Sequence, residues 1–177
     1  RGTISTYDNV VLAQSVEQSD GTYKRVYPAG TLAAHVVGYA SEKFGTAGIE
    51  SSYNDTLKGQ RNYASWTDVL NASTGNSAAG NDVKLTINST IQKAAQDALE
   101  GFSGACVVID PKTGAVLALA SSPTYNAADI ETLLQNSSNS SDSSALYNRA
   151  TQALYPPGST FKIVTPVSYT HLRAHET

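Results

Sequence analysis

The stretch Gly104 to Ser122, GACVVIDPKTGAVLALASS, constrains the fold more than any other part of the chain. Two runs, Ala105 to Ile109 and Ala115 to Ala120, are apolar at nearly every position, and Asp110-Pro111-Lys112-Thr113-Gly114 separates them. Proline early in a turn fixes φ, and glycine at its end tolerates positive φ, so the pattern predicts a β-hairpin. Strands this uniformly apolar are expected to be buried on both faces, here between helices. Cys106 sits in the first strand and reads as a small buried hydrophobe. As the one cysteine of the chain, it excludes an internal disulfide and any CxxC metal site.

Upstream, Val83, Leu85 and Ile87 alternate with Lys84 and Thr86, the pattern of a half-buried strand. Ile91, Ala94, Ala95, Ala98 and Leu99 then recur at three- and four-residue spacing and predict a helix. Asn88 or Ser89 caps it, Ser89 with Gln92 forms a capping box, and Gly101 ends it. Nearer the start, Thr3 to Ser5 and Val10 to Leu12 flank Tyr7-Asp8-Asn9 and predict a first hairpin. Residues from Ser19 to Gly30 are polar, with a turn at Asp20-Gly21. Ile49, Tyr53 and Leu57 share one face of a helix stopped by Gly59, and Lys58 to Arg61 form an exposed corner. Leu70 to Asn81 reads as a surface loop or a hairpin connection, and the polar NSSNSSDSS of Asn136 to Ser144 as a mobile loop.

Charge narrows the function classes. Twelve Lys and Arg against fifteen Asp and Glu leave a net charge of -3, so the basic footprint of a nucleic-acid binder is missing. No run approaches the roughly 18 apolar residues of a membrane span. The chain contains no methionine, so Arg1 is read as an internal position of a longer protein, whose preceding part could carry a signal or anchor.

The chemistry concentrates at Tyr155 to Lys162, YPPGSTFK. Two prolines and a glycine force a stiff, exposed turn. The following Phe161-Ile163-Val164 can be helical, which puts Ser159 at a helix start and Lys162 one turn on, facing the same side. A serine hydroxyl is a poor nucleophile until a base takes its proton. Desolvation and the positive end of a helix both disfavour a lysine ammonium, so an amine held there can be that base. Free backbone N–H groups at the same helix start can help to stabilise an oxyanion. With 21 serines and 7 lysines, about one Ser-x-x-Lys tetrad is expected by chance, so the Pro-Pro-Gly turn and the apolar continuation carry the signal.

The segment NRATQALYPPGSTFKIVT, Asn148 to Thr165, resembles the active-site serine segment of class B penicillin-binding proteins, the peptidoglycan transpeptidases. Four further segments resemble that family in its own order: RGTI at Arg1, GIESSYNDTLKG at Gly48, GNDVKLTINSTIQKAAQDAL at Gly80, and the hairpin from Gly104 to Asn126. The resemblance implies an α+β fold: a non-catalytic pedestal or dimerisation region over residues 1–80, then the first part of a transpeptidase domain over residues 81–166, an antiparallel sheet with flanking helices. It implies that Ser159 is the acylated nucleophile and Lys162 the general base. The implied substrate is the D-Ala-D-Ala end of a peptidoglycan stem peptide, and β-lactams would acylate the same serine. No metal or cofactor is implied. The implied setting is the extracytoplasmic face of a bacterial cell membrane, with a glycosyltransferase and division or elongation proteins as partners.

Departures are equally specific. The family's Ser-x-Asn motif does not follow Ser159, and Lys112-Thr113-Gly114 spells its Lys-Thr-Gly motif ahead of the nucleophile, inside a hairpin turn. Where the family has Asp-Arg-Asn-Gly, this chain has Tyr7-Asp8-Asn9-Val10. His171 and His175 have the spacing of a metal pair but lack a third ligand and an intervening glutamate. The last stretch, residues 167–177, resembles translated adapter read-through and is expected to be non-native. Two other readings use the same residues: a serine β-lactamase or β-lactam sensor built on Ser159 and Lys162, and a non-enzymatic interaction module in which that pair is incidental.

Overall fold

The computed structural model describes residues 1–59, 80–136 and 144–164. The expected loop at Leu70 to Asn81, the corner at Lys58 to Arg61 and the polar segment at Asn136 to Ser144 lie largely outside these residues, and the tail from Val167 with His171 and His175 lies wholly outside them.

The first hairpin forms as expected. Strand β1 (Ile4–Ser5) pairs antiparallel with β2 (Val11–Glu17). The turn between them works without a glycine. Asn9 takes a left-handed φ of 66°, the Val10 amide donates to Thr6 Oγ1 at 2.9 Å, and the Thr6 amide donates to the Val10 carbonyl at 3.0 Å. Asparagine is one of the few residues that tolerates this conformation. A third strand, β3 (Tyr23–Val26), pairs antiparallel with β2. Its Lys24 and Arg25 hide it from a hydrophobic-pattern reading, and it lies at the sheet edge, where charge discourages pairing with another chain.

Two short strands, β4 (Ala40–Ser41) and β5 (Gly45–Thr46), form a separate hairpin. Strand β6 (Val83–Lys84) then runs parallel to β1 and completes the order β3-β2-β1-β6. The alternating pattern predicts a longer strand here, but regular pairing ends at Lys84. Beyond it Leu85 N–H still donates to the Ser5 carbonyl, and the Ile87 carbonyl accepts from Tyr7 N–H, both at 2.8 Å. Gly2 is required where these ends meet: a Cβ there would stand 2.0 Å from the Asn81 carbonyl oxygen. Residues on both sides of position 80 therefore build this sheet, and its core joins Ile4, Leu12, Val37 and Leu57 to Tyr125 and Ile130.

The helix expected over Ile49 to Leu57 is broken in two. After α1 (Ala34–Val37), helix α2 (Gly48–Ser52) and helix α3 (Asn54–Leu57) meet at Tyr53, whose φ of -110° and ψ of 24° interrupt the winding. Gly48 has a left-handed φ of 60° and lies so close to α1 that a Cβ would meet the Val36 carbonyl oxygen at 2.7 Å. That approach delivers Glu50 into the interior with no exposed surface. Arg25 Nε donates to Glu50 Oε1 at 2.6 Å, and Arg1 Nη2 stands 3.0 Å from Oε2. Arg25 Nη1 also donates to the Gly2 carbonyl at 2.7 Å, and Arg1 Nη1 to Asn54 Oδ1 at 3.0 Å. One carboxylate thus ties β3, the chain start and α2 together. Beside it, burial and then the Glu50 charge push the Tyr27 phenol up to about 12, which keeps it a neutral donor.

The helix beginning after Asn88 is α4 (Ser89–Ala98). Asn88 is its cap, with Oδ1 accepting from the Thr90 and Ile91 amides at 3.1 and 3.2 Å. The expected capping box does not form, because Gln92 is turned inward and 1% exposed. Its Nε2 donates to the Leu119 carbonyl at 3.0 Å, and its Oε1 accepts the Leu119 N–H at 2.8 Å. A side-chain amide therefore stands in for a neighbouring strand on the free edge of the second hairpin. The packing face runs through Ile91, Ala95 and Leu99, whereas Ala94 and Ala98, assigned to that face from spacing, are exposed.

Asp8 reaches this helix from the first hairpin. Its carboxylate accepts from the Ser89 amide at 2.9 Å and from the Ser89 hydroxyl, and these bonds hold its pKa down at about 2, against an ordinary 3.8. A depressed folded-state value stabilises the fold above the unfolded value and loses that stabilisation as pH falls from 3.8 through about 2. Acid titration followed by circular dichroism is expected to show a later unfolding step in the natural chain than in Asp8→Asn; identical acid midpoints would contradict the link.

The second hairpin, β7 (Gly104–Ile109) with β8 (Val116–Ser122), is antiparallel as predicted. Asp110 builds the turn by accepting from the Lys112 amide at 3.0 Å and from the Thr113 hydroxyl at 2.7 Å, and Gly114 takes a φ of 75°. Lys112-Thr113-Gly114 is thus turn chemistry in this position. The expectation of burial on both faces is corrected. One face packs Ala118 and Ala120 against α4, while on β7 Val107 and Ile109 remain 43% and 54% exposed. Cys106 is half-buried. The described chain then passes through a 3-10 turn (Ala127–Asp129), helix α5 (Ile130–Gln135) and a final 3-10 helix (Gly158–Ile163).

Candidate active site

Ser159 and Lys162 both lie in the 3-10 helix Gly158–Ile163, which starts immediately after Pro157 at φ -67°. The expectation was the start of an α-helix; the winding found is tighter. At three residues per turn, positions three apart eclipse, so this winding places Ser159 and Lys162 in line on one side. The tight turn consumes one of the amides expected to be free, since Thr160 N–H donates to the Pro157 carbonyl at 3.2 Å and the Thr160 hydroxyl bonds the same oxygen. Both Ser159 and Lys162 are exposed, and neither side chain makes a hydrogen bond or ion pair among the described residues. The burial expected around the amine is therefore not supplied by these residues. Large apolar side chains are also exposed along this segment: Leu154 is 98% exposed, Tyr155 57% and Phe161 54%. A surface cavity of about 930 Å³ lies between β3 and α5 and includes neither Ser159 nor Lys162.

The chain is firmly held before it reaches this turn. The Ser121 hydroxyl, at the end of β8, accepts the Arg149 N–H at 3.0 Å and donates to the Tyr147 carbonyl at 3.3 Å. His35 Nε2 lies 2.7 Å from the Ala145 carbonyl oxygen, and the His35 ring meets Tyr125 edge-on at 5.0 Å. A carbonyl only accepts, so Nε2 carries the proton. Neither Ser121 nor His35 is singled out by the sequence pattern. One reads as a strand end and the other as a residue of an apolar stretch, and their contacts span 26 to 110 positions.

His35 responds to pH in a defined direction. Burial lowers its pKa below 6.5, the nearby Arg149 charge adds to this, and the Ala145 carbonyl opposes it. A histidine lowered in the fold takes a proton more readily in the unfolded chain, so stability is full above 6.5 and declines as pH falls below it. Thermal melts between about pH 8 and about pH 5 are expected to show that decline in the natural chain and a flatter profile in His35→Gln. Equal slopes would contradict the assignment.

Comparison with known proteins decides the family. Residues 1–83 match the penicillin binding protein A dimerisation domain, and residues 104–168 match the penicillin binding protein transpeptidase domain. The chain belongs to the penicillin-binding proteins. Among solved penicillin-binding proteins and their kin, the D,D-transpeptidase domain of a peptidoglycan glycosyltransferase from Eggerthella lenta shares 59% identity at a TM-score of 0.80, covering 93% of this chain and 35% of that one. An imipenem acyl-enzyme complex of penicillin-binding protein A from M. tuberculosis shares 32% identity at a TM-score of 0.82, covering 100% of this chain and 43% of that one. The peptidoglycan D,D-transpeptidase MrdA of Acinetobacter baumannii is 36% identical over 166 residues, which is 78% of this chain and 25% of that protein. This penicillin-binding protein chain thus spans less than half the length of each of these relatives.

Proposed function

We propose that the whole protein cross-links peptidoglycan by serine acyl transfer, with Ser159 as nucleophile and Lys162 as general base. The observation that carries this reading is the placement of both residues on one side of a 3-10 turn behind Pro156 and Pro157, in a chain whose relatives are D,D-transpeptidases, one of them seen as an acyl-enzyme. Lys162 Nζ takes the proton from Ser159 Oγ as the oxygen attacks the carbonyl carbon of the penultimate D-Ala. The peptide C–N bond breaks, the proton passes to the departing amine, and terminal D-Ala leaves. An acceptor amine from a second stem peptide then displaces the serine and restores the hydroxyl. A β-lactam enters the same first step, but its leaving amine stays tethered to the acyl group.

The proposed organisation is a pedestal or dimerisation region over residues 1–80 and a portion of the transpeptidase domain over residues 81–166, with residues 167–177 non-native. The matched spans 1–83 and 104–168 support the division. The proposed setting is the extracytoplasmic face of the bacterial membrane, where the substrate lies, with a glycosyltransferase and division or elongation proteins as partners. No helix among the described residues is long and apolar enough to cross a membrane.

Release of D-Ala from a stem pentapeptide tests the reaction. The whole protein is expected to release it, and Ser159→Ala to release none above background. The 177-residue span alone is expected to react little, because Ser159 and Lys162 stand in water there. Release that persists in Ser159→Ala overturns the assignment.

A further inference from the structure

Between Ser144 and Gln152 the chain approaching Ser159 is fastened from two separate parts of the fold. The first fastening is on β8. Ser121, 3% exposed, uses its single hydroxyl twice, accepting the Arg149 N–H and donating to the Tyr147 carbonyl. The second is on α1, where His35 donates from its ring to the Ala145 carbonyl and its own carbonyl accepts from Asn148 Nδ2 at 3.5 Å. Between the two, Asn148 closes a turn: Oδ1 accepts the Ala150 N–H at 3.1 Å, and its carbonyl accepts the Gln152 N–H at 2.9 Å.

Past Gln152 the character changes. From Ala153 to Pro156 the chain has no hydrogen bond among the described residues, and Leu154 to Pro157 are exposed. Contacts do not fix this stretch, but covalent geometry stiffens its second half, from Tyr155 on. Pro156 and Pro157 have locked φ, and Tyr155 and Pro156 each precede a proline and are held out of the helical region. A stiff strut transmits the position of its base. The base here is the doubly fastened turn, and the tip is the nucleophile.

We propose that Ser121 and His35 are positioning residues for Ser159, fixing from β8 and from α1 the turn from which the Pro-Pro strut projects. The inference rests on the reading of Ser159 as the acylated group. Each residue acts through the 144–152 turn, and a misplacement of about 1 Å at a reacting atom is enough to cost roughly 100-fold in rate.

The test compares second-order acylation of the whole protein by a fluorescent penicillin in Ser121→Ala, His35→Leu and His35→Gln, with hydrogen exchange at the Arg149 amide of the 177-residue chain alongside. The expected result is acylation slowed roughly 10- to 100-fold in Ser121→Ala and His35→Leu. Recovery is expected in His35→Gln, whose Nε2 can donate where the imidazole did. The Arg149 amide is expected to exchange faster in Ser121→Ala while β7 amides stay protected. Undiminished acylation in Ser121→Ala despite a loosened Arg149 amide overturns the proposal, as does His35→Gln reacting as slowly as His35→Leu. If Ser121→Ala does not fold, the two His35 variants decide. Absence of acylation in the unsubstituted whole protein sinks the reading of Ser159 itself, and the positioning role with it.

Discussion

Replacing Glu50 by alanine is expected to cost the folded chain about 3–5 kcal/mol, because the change strands two guanidinium groups that the carboxylate now compensates. Side-chain exposure is 0% at Glu50, 8% at Arg25 and 17% at Arg1, so water cannot take over its role. The site is already tight: Arg25 Nη2 and Arg1 Nε are buried without hydrogen-bond partners among the described residues. Glu50 Oε2 pairs with Arg1 by charge at 3.0 Å, without the alignment of a hydrogen bond. Removing the anion leaves those donors with nothing to offset their desolvation. At about 2–4 °C per kcal/mol for a chain of this size, melting is expected to fall by about 6–20 °C. The double substitution Glu50→Leu with Arg25→Met is expected to recover part of the loss, because exchanging a buried pair for apolar groups is far milder than breaking it. A melting shift under about 2 °C in Glu50→Ala would show that the cluster contributes little.

How much of this was legible beforehand follows from where each signal lay. The second hairpin and α4 could be read because their information is local: turn residues at fixed offsets, and apolar residues at a fixed period. Strand β3 could not, because an edge strand with Lys24 and Arg25 carries no apolar alternation. The exposure of Val107 and Ile109 contradicts the expectation of a doubly buried hairpin, because a run of apolar residues reports strand propensity and not what covers each face. Gln92 shows the limit of a local motif. Its spacing from Ser89 fits a capping box, but the unpaired edge of β8 competes for the same amide and wins by giving it two hydrogen bonds at Leu119. The Glu50 cluster joins residues 25 to 49 positions apart, which no window of sequence links. At the candidate site, the tetrad and its proline turn were visible in sequence. The fastenings through Ser121 and His35 were not, because each is one polar atom meeting backbone far along the chain.

The proposed chemistry stands or falls on Ser159 Oγ becoming esterified. Its nucleophilicity depends on the amine of Lys162, so the two substitutions are expected to act as one unit. Loss of either is expected to lower acylation by roughly 1,000-fold or more, and loss of both to cost little beyond either alone. The decisive measurement is peptide mapping by mass spectrometry of the whole protein after brief exposure to penicillin. The expected result is one acyl adduct on the peptide that contains Ser159, absent from Ser159→Ala and strongly reduced in Lys162→Met. An adduct that maps to another residue, or that forms at the natural rate in Ser159→Ala, would contradict the assignment.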